Sequence, residues 1–303
     1  APSLVGLKSV PEQGIGMDIG SLAATSLPET VKKHIEKVAE AAHVIYEPTQ
    51  IRRKARAEAD AAMIRATSEL EIDEMQRRAL TRLAIEEASN QTNMEAILDK
   101  DLKLITDGAT PENLDNDWVR RFFDRSRLIS SDDVQEIWAK LLAGEADAPG
   151  TYSKRAIDIL DSLDSKDVRS FTALCSFAVD LGRPTPLIYD LSDPIYSDNG
   201  LDLYSVSTLE SVGLIHQSIG YSRGGLKKSG RIRYFEEALY VELKEQEAGS
   251  SGSNTFRMNL GQVIVSEAGR ELQQLVTPQA VEGFPDYLRI KWREFGYLTE
   301  PAA

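Results

Sequence analysis

Between Pro48 and Gly108 the chain runs for about sixty residues, rich in Ala, Glu and Arg, with no glycine and its one proline at the start. Such a run predicts one or two very long helices, spanning roughly 90 Å if unbroken. Few monomeric domains bury a rod of that length, so the segment predicts assembly or scaffolding. Ile51, Ala55, Ala59, Ala62, Ala66 and Leu70 step by three or four. Their spacing of about 3.8 residues drifts from a strict heptad and favours close packing of small residues over a regular two-stranded coiled coil.

Ahead of that rod, residues 1–25 carry four glycines with little periodicity and read as an irregular arm. Residues 26–110 form the expected oligomerisation segment. It opens with Ser26-Leu27-Pro28-Glu29, which matches a capping box with proline just inside the helix. Val31, Ile35, Val38, Ala42 and Ile45 give this helix an apolar stripe, while its opposite face mixes Lys32, Lys33, His34, Glu36, Lys37 and Glu40. After Pro48 the chain restarts with Arg52, Arg53, Lys54 and Arg56 in two turns, where cations oppose the helix dipole. Those four are candidate contacts for an anionic partner, set against simple neutralisation by Glu58 and Asp60. Asp73 with Arg77 and Glu74 with Arg78 are spaced as favourable pairs on a solvated face. The weak helix formers Ser89 to Asn93 predict a bend, with Thr92 to Glu95 as a fresh capping box and Met94, Ile97, Leu98, Leu102 and Ile105 as the next seam.

Residues 111–182 read as a compact helical module. Asn116 or Asp117 caps a helix with Trp118, Phe122 and Phe123; Ser131 opens a second with Trp138, ending at Gly144; Ser153 and Ser165 open two more. Aromatics at helical spacing predict core, and Cys175 in Leu174-Cys175-Ser176-Phe177 predicts core filler. From residue 183 to 303 the texture becomes β-branched and aromatic. A helix over Leu201 to Leu209, then Gly213-Leu214-Ile215, strands around Tyr234 to Lys244 and Phe256 to Val265, and a helix from Ser266 read as a winged-helix-like α+β domain, with a Gly/Ser loop from Gln246 to Thr255. The fold class expected is mainly α: long amino-terminal helices, a compact helical module and that carboxy-terminal domain.

The composition is that of an ordinary globular protein, 42% hydrophobic and 27% charged, with a formal net charge of −13. That charge opposes generic nucleic-acid binding. One cysteine excludes an internal disulfide. No apolar run reaches a membrane span, and the first thirty or so residues lack a basic-then-apolar leader, so a cytoplasmic location is expected. His34, His43 and His216 form no metal-binding spacing, and neither a phosphate loop nor a nucleophile elbow is present. Neither a catalytic residue, a metal nor a cofactor is therefore expected. The one chemically suggestive run is Arg223, Lys227, Lys228, Arg231 and Arg233, without an acid and flanked by Tyr221 and Tyr234. In a winged-helix frame it is a basic wing tip suited to phosphate contacts, although Glu210 sits in the would-be recognition helix.

Three strings carry a resemblance: Asp117-Trp118; Ile137-Trp138-Ala139-Lys140-Leu141-Leu142-Ala143-Gly144-Glu145; and Pro149-Gly150-Thr151-Tyr152-Ser153-Lys154-Arg155. With Tyr46-Glu47-Pro48 and the Gly-Leu-Ile region, they resemble a bacterial family of unknown function related to the abortive-infection alpha-like proteins. The resemblance spans about residues 28–275. It implies kinship with bacterial defence against phage and assigns no residue a chemical role.

The function expected is that of a non-enzymatic protein that self-associates through its amino-terminal helices, with the carboxy-terminal domain as its sensing end or as the end that binds an unidentified protein partner. The alternative is a DNA-binding regulator using the basic run, and a third is an enzyme with a concealed site.

Overall fold

A computed structural model of the chain describes residues 27–44, 74–243, 245–246 and 255–300. Ser26, Arg52, Arg53, Lys54, Arg56, Asp73, the alanine stripe from Ile51 to Leu70 and most of the Gly/Ser loop lie outside the described residues.

Helix α1 (Glu29–Ala42) begins where its sequence predicts, but Pro28 occupies the N-cap itself and no side chain caps the helix. Val31, Ile35 and Val38 are buried as their spacing requires; His34, expected on the mixed face, is buried with them. Helix α2 (Glu74–Asp101) is continuous through Ser89 to Asn93, so the predicted break and fresh capping box do not occur there. Local propensity there is overridden by what holds the helix. The Thr92 hydroxyl donates back to Ala88 O at 2.8 Å, the Asn93 amide donates to Arg127 O at 2.8 Å, and Met94, Ile97 and Leu98 are buried.

After a short 3-10 turn (Pro111–Asn113), four helices build the module: α3 (Asn116–Ser126), α4 (Asp132–Asp147), α5 (Lys154–Asp161) and α6 (Ser165–Ser176). Asp115 caps α3 by accepting Trp118 N–H at 2.7 Å, one residue before the predicted cap. Helix α4 continues past Gly144 to Asp147, because a glycine in αR geometry does not stop a helix whose next turn is buried. Ser153 caps α5 as predicted, and Asp164 with Asp167 closes a capping box on α6.

The remainder corrects the expected fold class. The chain is a mixed α+β fold with two small antiparallel sheets, not a mainly α protein. Strands β1 (Ala178–Asp180), β2 (Pro184–Pro186), β4 (Ser229–Tyr234) and β5 (Glu237–Glu242) form one sheet in the order β2-β1-β4-β5. Strands β3 (Ile215–Leu226), β6 (Glu245–Gln246) and β7 (Thr255–Val265) form the other, in the order β3-β7-β6. The expected wing is not made: β3 and β4 flank Lys227-Lys228 but enter different sheets, β3 pairing with β7 and β4 with β5 and β1. Alternation along a strand identifies its buried face, whereas its partner is chosen by distant residues. Helices α7 (Pro194–Ser197), α8 (Leu203–Ser211), α9 (Glu267–Gln273) and α10 (Phe284–Glu294) pack around the sheets.

One hydrophobic cluster is continuous from Val38 to Tyr297 and passes through module and sheets alike. Trp138 and Trp292 are fully buried in it. The Trp292 indole N–H donates to Tyr189 Oη at 2.9 Å, and Tyr189 O–H donates to Asn259 O at 3.2 Å, so a polar chain is threaded through the aromatic core. The sheets meet where Gln262 N–H donates to Ile188 O at 2.6 Å. Gly261 makes that approach possible: it has φ +86°, and a Cβ there would lie 2.0 Å from Ile188 O.

Candidate functional site

Among the described residues, the surface that most needs a partner is the outer half of α2. From Glu74 to Ser89 almost every residue is exposed, whereas Met94, Ile97 and Leu98 in the same helix are buried against the body. Met75, Leu83 and Ile85 stand 67%, 59% and 66% exposed, and Leu80 is exposed as well. This half of the helix carries two ion pairs of its own, Arg78 to Glu74 at 3.6 Å and Arg82 to Glu86 at 3.5 Å.

The body end of α2 is held by a pair that sequence reading missed. His34 Nε2 lies 2.9 Å from Asp101 Oδ2, with both side chains wholly shielded from solvent. His34 Nδ1 and Asp101 Oδ1 have no hydrogen-bond partner. Burial pushes the Asp101 carboxyl above its usual range, with His34 opposing that shift and the Asp147 charge adding to it. The pair joins residues 67 apart in sequence, and only the three-residue step from Val31 to His34 and the four-residue step from His34 to Val38 hinted at an inward histidine. Beside it, between the start of α1 and the end of α2, lies a cleft of about 420 Å³ lined by Pro28, Thr30, Val31, Leu102, Ile105 and Thr106.

The basic run is dispersed by the sheets. Arg223 is half-buried, and its Nη1 donates to Leu181 O at 2.7 Å. Lys228 faces Glu242 at 3.4 Å. Arg231 and Arg233 are exposed on β4, alternating with buried Ile232 and Tyr234, and Lys227 is exposed in the connection. Arg233 sits across from Asp180 on β1 and Ala238 on β5, and Arg231 across from Tyr240. Of the five cations, Lys227, Arg231 and Arg233 make no ion pair among the described residues, and acids border them. Glu210 is committed elsewhere, accepting Gln217 N at 2.7 Å and Gln217 Nε2 at 2.9 Å.

The buried groups whose proton affinity is shifted by desolvation, Cys175 and Glu145 among them, are engaged in packing and backbone bonds. Burial raises the Cys175 thiol far above its ordinary value, which makes it an inert core residue. Glu145 is raised by burial, while its carboxylate accepts Gly150 N at 2.6 Å and Tyr152 N at 2.8 Å. The Trp118 indole N–H donates to Tyr152 O at 2.8 Å. The strings that carry the resemblance are therefore a structural clasp: one helix end, one loop and one tryptophan locked together. Among the described residues no cluster of metal-ligating side chains occurs, and no helix is long and apolar enough to cross a membrane.

The family model described as protein of unknown function (DUF2806) matches residues 77–289, well over half of the chain. No curated protein and no solved structure matches it.

Proposed function

We propose that this chain, which belongs to the DUF2806 family, is a non-enzymatic protein that self-associates through its long amino-terminal helices and engages a protein partner through its carboxy-terminal α+β part. The observation that carries the first half is the outer half of α2, with Met75, Leu83 and Ile85 presented to solvent among the described residues. Support for the second half comes from β3, an edge strand of its sheet with Ile219 fully exposed, and from Tyr204 exposed on α8. The non-enzymatic reading rests on the commitment of Glu145, Cys175 and Tyr189 to packing and backbone bonds.

A bacterial source and a role in antiphage defence belong to the same proposal and rest on the resemblance carried by Asp117-Trp118, Ile137 to Glu145 and Pro149 to Arg155; a cytoplasmic location belongs to it too and rests on the single, buried Cys175. A second reading, contact with nucleic acid, is favoured by exposed Lys227, Arg231 and Arg233 alone. Light scattering of the purified chain tests the first reading: a mass of two or more chains is expected, and a monomer at every concentration up to about 100 μM, well above typical functional affinities, overturns it.

A further inference from the structure

One face of the outer α2 is chemically palindromic. Arg77, Leu80, Ala84 and Glu87 follow one another at steps of three, four and three, so they share a side of the helix, with the two charges about 15 Å apart along its axis. Among the described residues, neither charge at the ends of this face is held by an ion pair. Arg77 makes no ion pair among the described residues, and the Glu87 carboxylate only accepts the Asn90 amide at 3.3 Å. On the opposite side, Arg78 and Arg82 are paired within the helix to Glu74 and Glu86. The centre of the face is apolar and uneven, a large Leu80 beside a small Ala84.

From this arrangement we propose that the outer half of α2 pairs antiparallel with the same helix of a second copy of this chain, in the register that sets Arg77 against the partner's Glu87 and Leu80 against the partner's Ala84. The inference rests on the self-association reading and specifies its geometry for the side of the helix that carries Leu80 and Ala84, whereas Met75 and Ile85 stand on other sides and lie outside this contact. A two-fold contact requires one patch to complement itself, and this register satisfies that twice: the charge pairs and the large-small pairs both coincide when positions summing to 164 face each other. Parallel pairing in register would set Arg77 on Arg77 and Leu80 on Leu80, adding like-charge repulsion and a clash of large residues. Antiparallel pairing forms two symmetry-related ion pairs that flank two Leu-Ala contacts, and the small alanines let the helix axes approach.

The test combines mass with charge exchange on the full chain. Arg77→Glu and Glu87→Arg, each alone, convert both symmetric pairs to repulsion and should weaken the dimer by about tenfold; the double variant Arg77→Glu/Glu87→Arg should restore it. In a second arm, Leu80→Cys protein mixed with Ala84→Cys protein should oxidise to a covalent dimer, and neither should do so alone. Buried Cys175 does not compete. A dimer indifferent to both single exchanges, or cross-linked by Leu80→Cys alone, overturns this geometry while leaving self-association standing. A strict monomer overturns both, and shielding of the Leu80→Cys thiol from maleimide in that monomer would show that another part of the same chain covers the face.

Discussion

The carboxylate of Glu145, near the end of α4, accepts the backbone N–H of Tyr152 at 2.8 Å, and the Tyr152 ring in turn lies over Gly144, where a Cβ would meet it at 2.9 Å. Two adjacent helix residues therefore hold one loop residue by its backbone and by its ring. The consequence is that the Gly-Glu step and the Pro-Gly-Thr-Tyr loop stand or fall as one unit.

Glu145→Ala leaves the buried Tyr152 N–H without its acceptor and should cost about 1–3 kcal/mol. Gly144→Val forces the Tyr152 ring out and should cost a similar amount, about 1–3 kcal/mol, through overpacking. Urea unfolding checks both: the midpoint should fall with the slope unchanged. Wild-type midpoints in both variants would show the clasp to be dispensable.

Removing either member of the His34 and Asp101 pair strands the other in a site shielded from solvent. Asp101→Ala or His34→Ala should each destabilise the protein by about 3–5 kcal/mol, and an apolar double replacement, His34→Leu with Asp101→Leu, should recover part of the loss. A double-mutant cycle reads the coupling. Additive single effects would mean that the two side chains act independently.

Two small sets of carboxylates carry opposite pH signs. Asp115, Asp164 and Asp202 cap helices, and the backbone N–H groups of Trp118, Asp167 and Ser205 hold them below their ordinary value of 3.8. Their contribution is present above that value and is lost as pH falls through the lowered ones. Asp101 and Glu145 are raised by burial, so their contribution is present below the ordinary values and declines as pH rises through the raised ones. Asp164→Ser keeps a capping oxygen but removes one titrating group, and its stability should fall less steeply than wild type below about pH 4. Parallel acid-unfolding curves would contradict this assignment.

Duplex DNA binding should be weak or absent, because acids border Lys227, Arg231 and Arg233 and the net charge is −13. The measurement is a titration at several salt concentrations. A complex whose affinity falls with salt at a log-log slope near −0.9 per phosphate contact, and which vanishes in Lys227→Glu/Arg231→Glu/Arg233→Glu, would establish the nucleic-acid reading in place of the protein-partner one.

The chain's sequence determined those features whose cause lies within a few residues. Ser153 and Ser266 cap helices where they were expected to, Trp118 and Trp138 are core, and Cys175 is buried, because capping and helical periodicity act over one or two turns. The ion pair of Glu74 with Arg78 is legible for the same reason. What the tertiary structure decided depends on residues far apart. His34 turned inward because Asp101, 67 residues away, meets it there; α2 continues unbroken through Asn93, whose side-chain amide donates to Arg127 O. The basic run lost its hairpin because β3 found β7 and β4 found β5 and β1, a choice of partner that alternation along one strand does not encode. Local pattern sets which face of an element is apolar, and only the assembled chain sets what covers it.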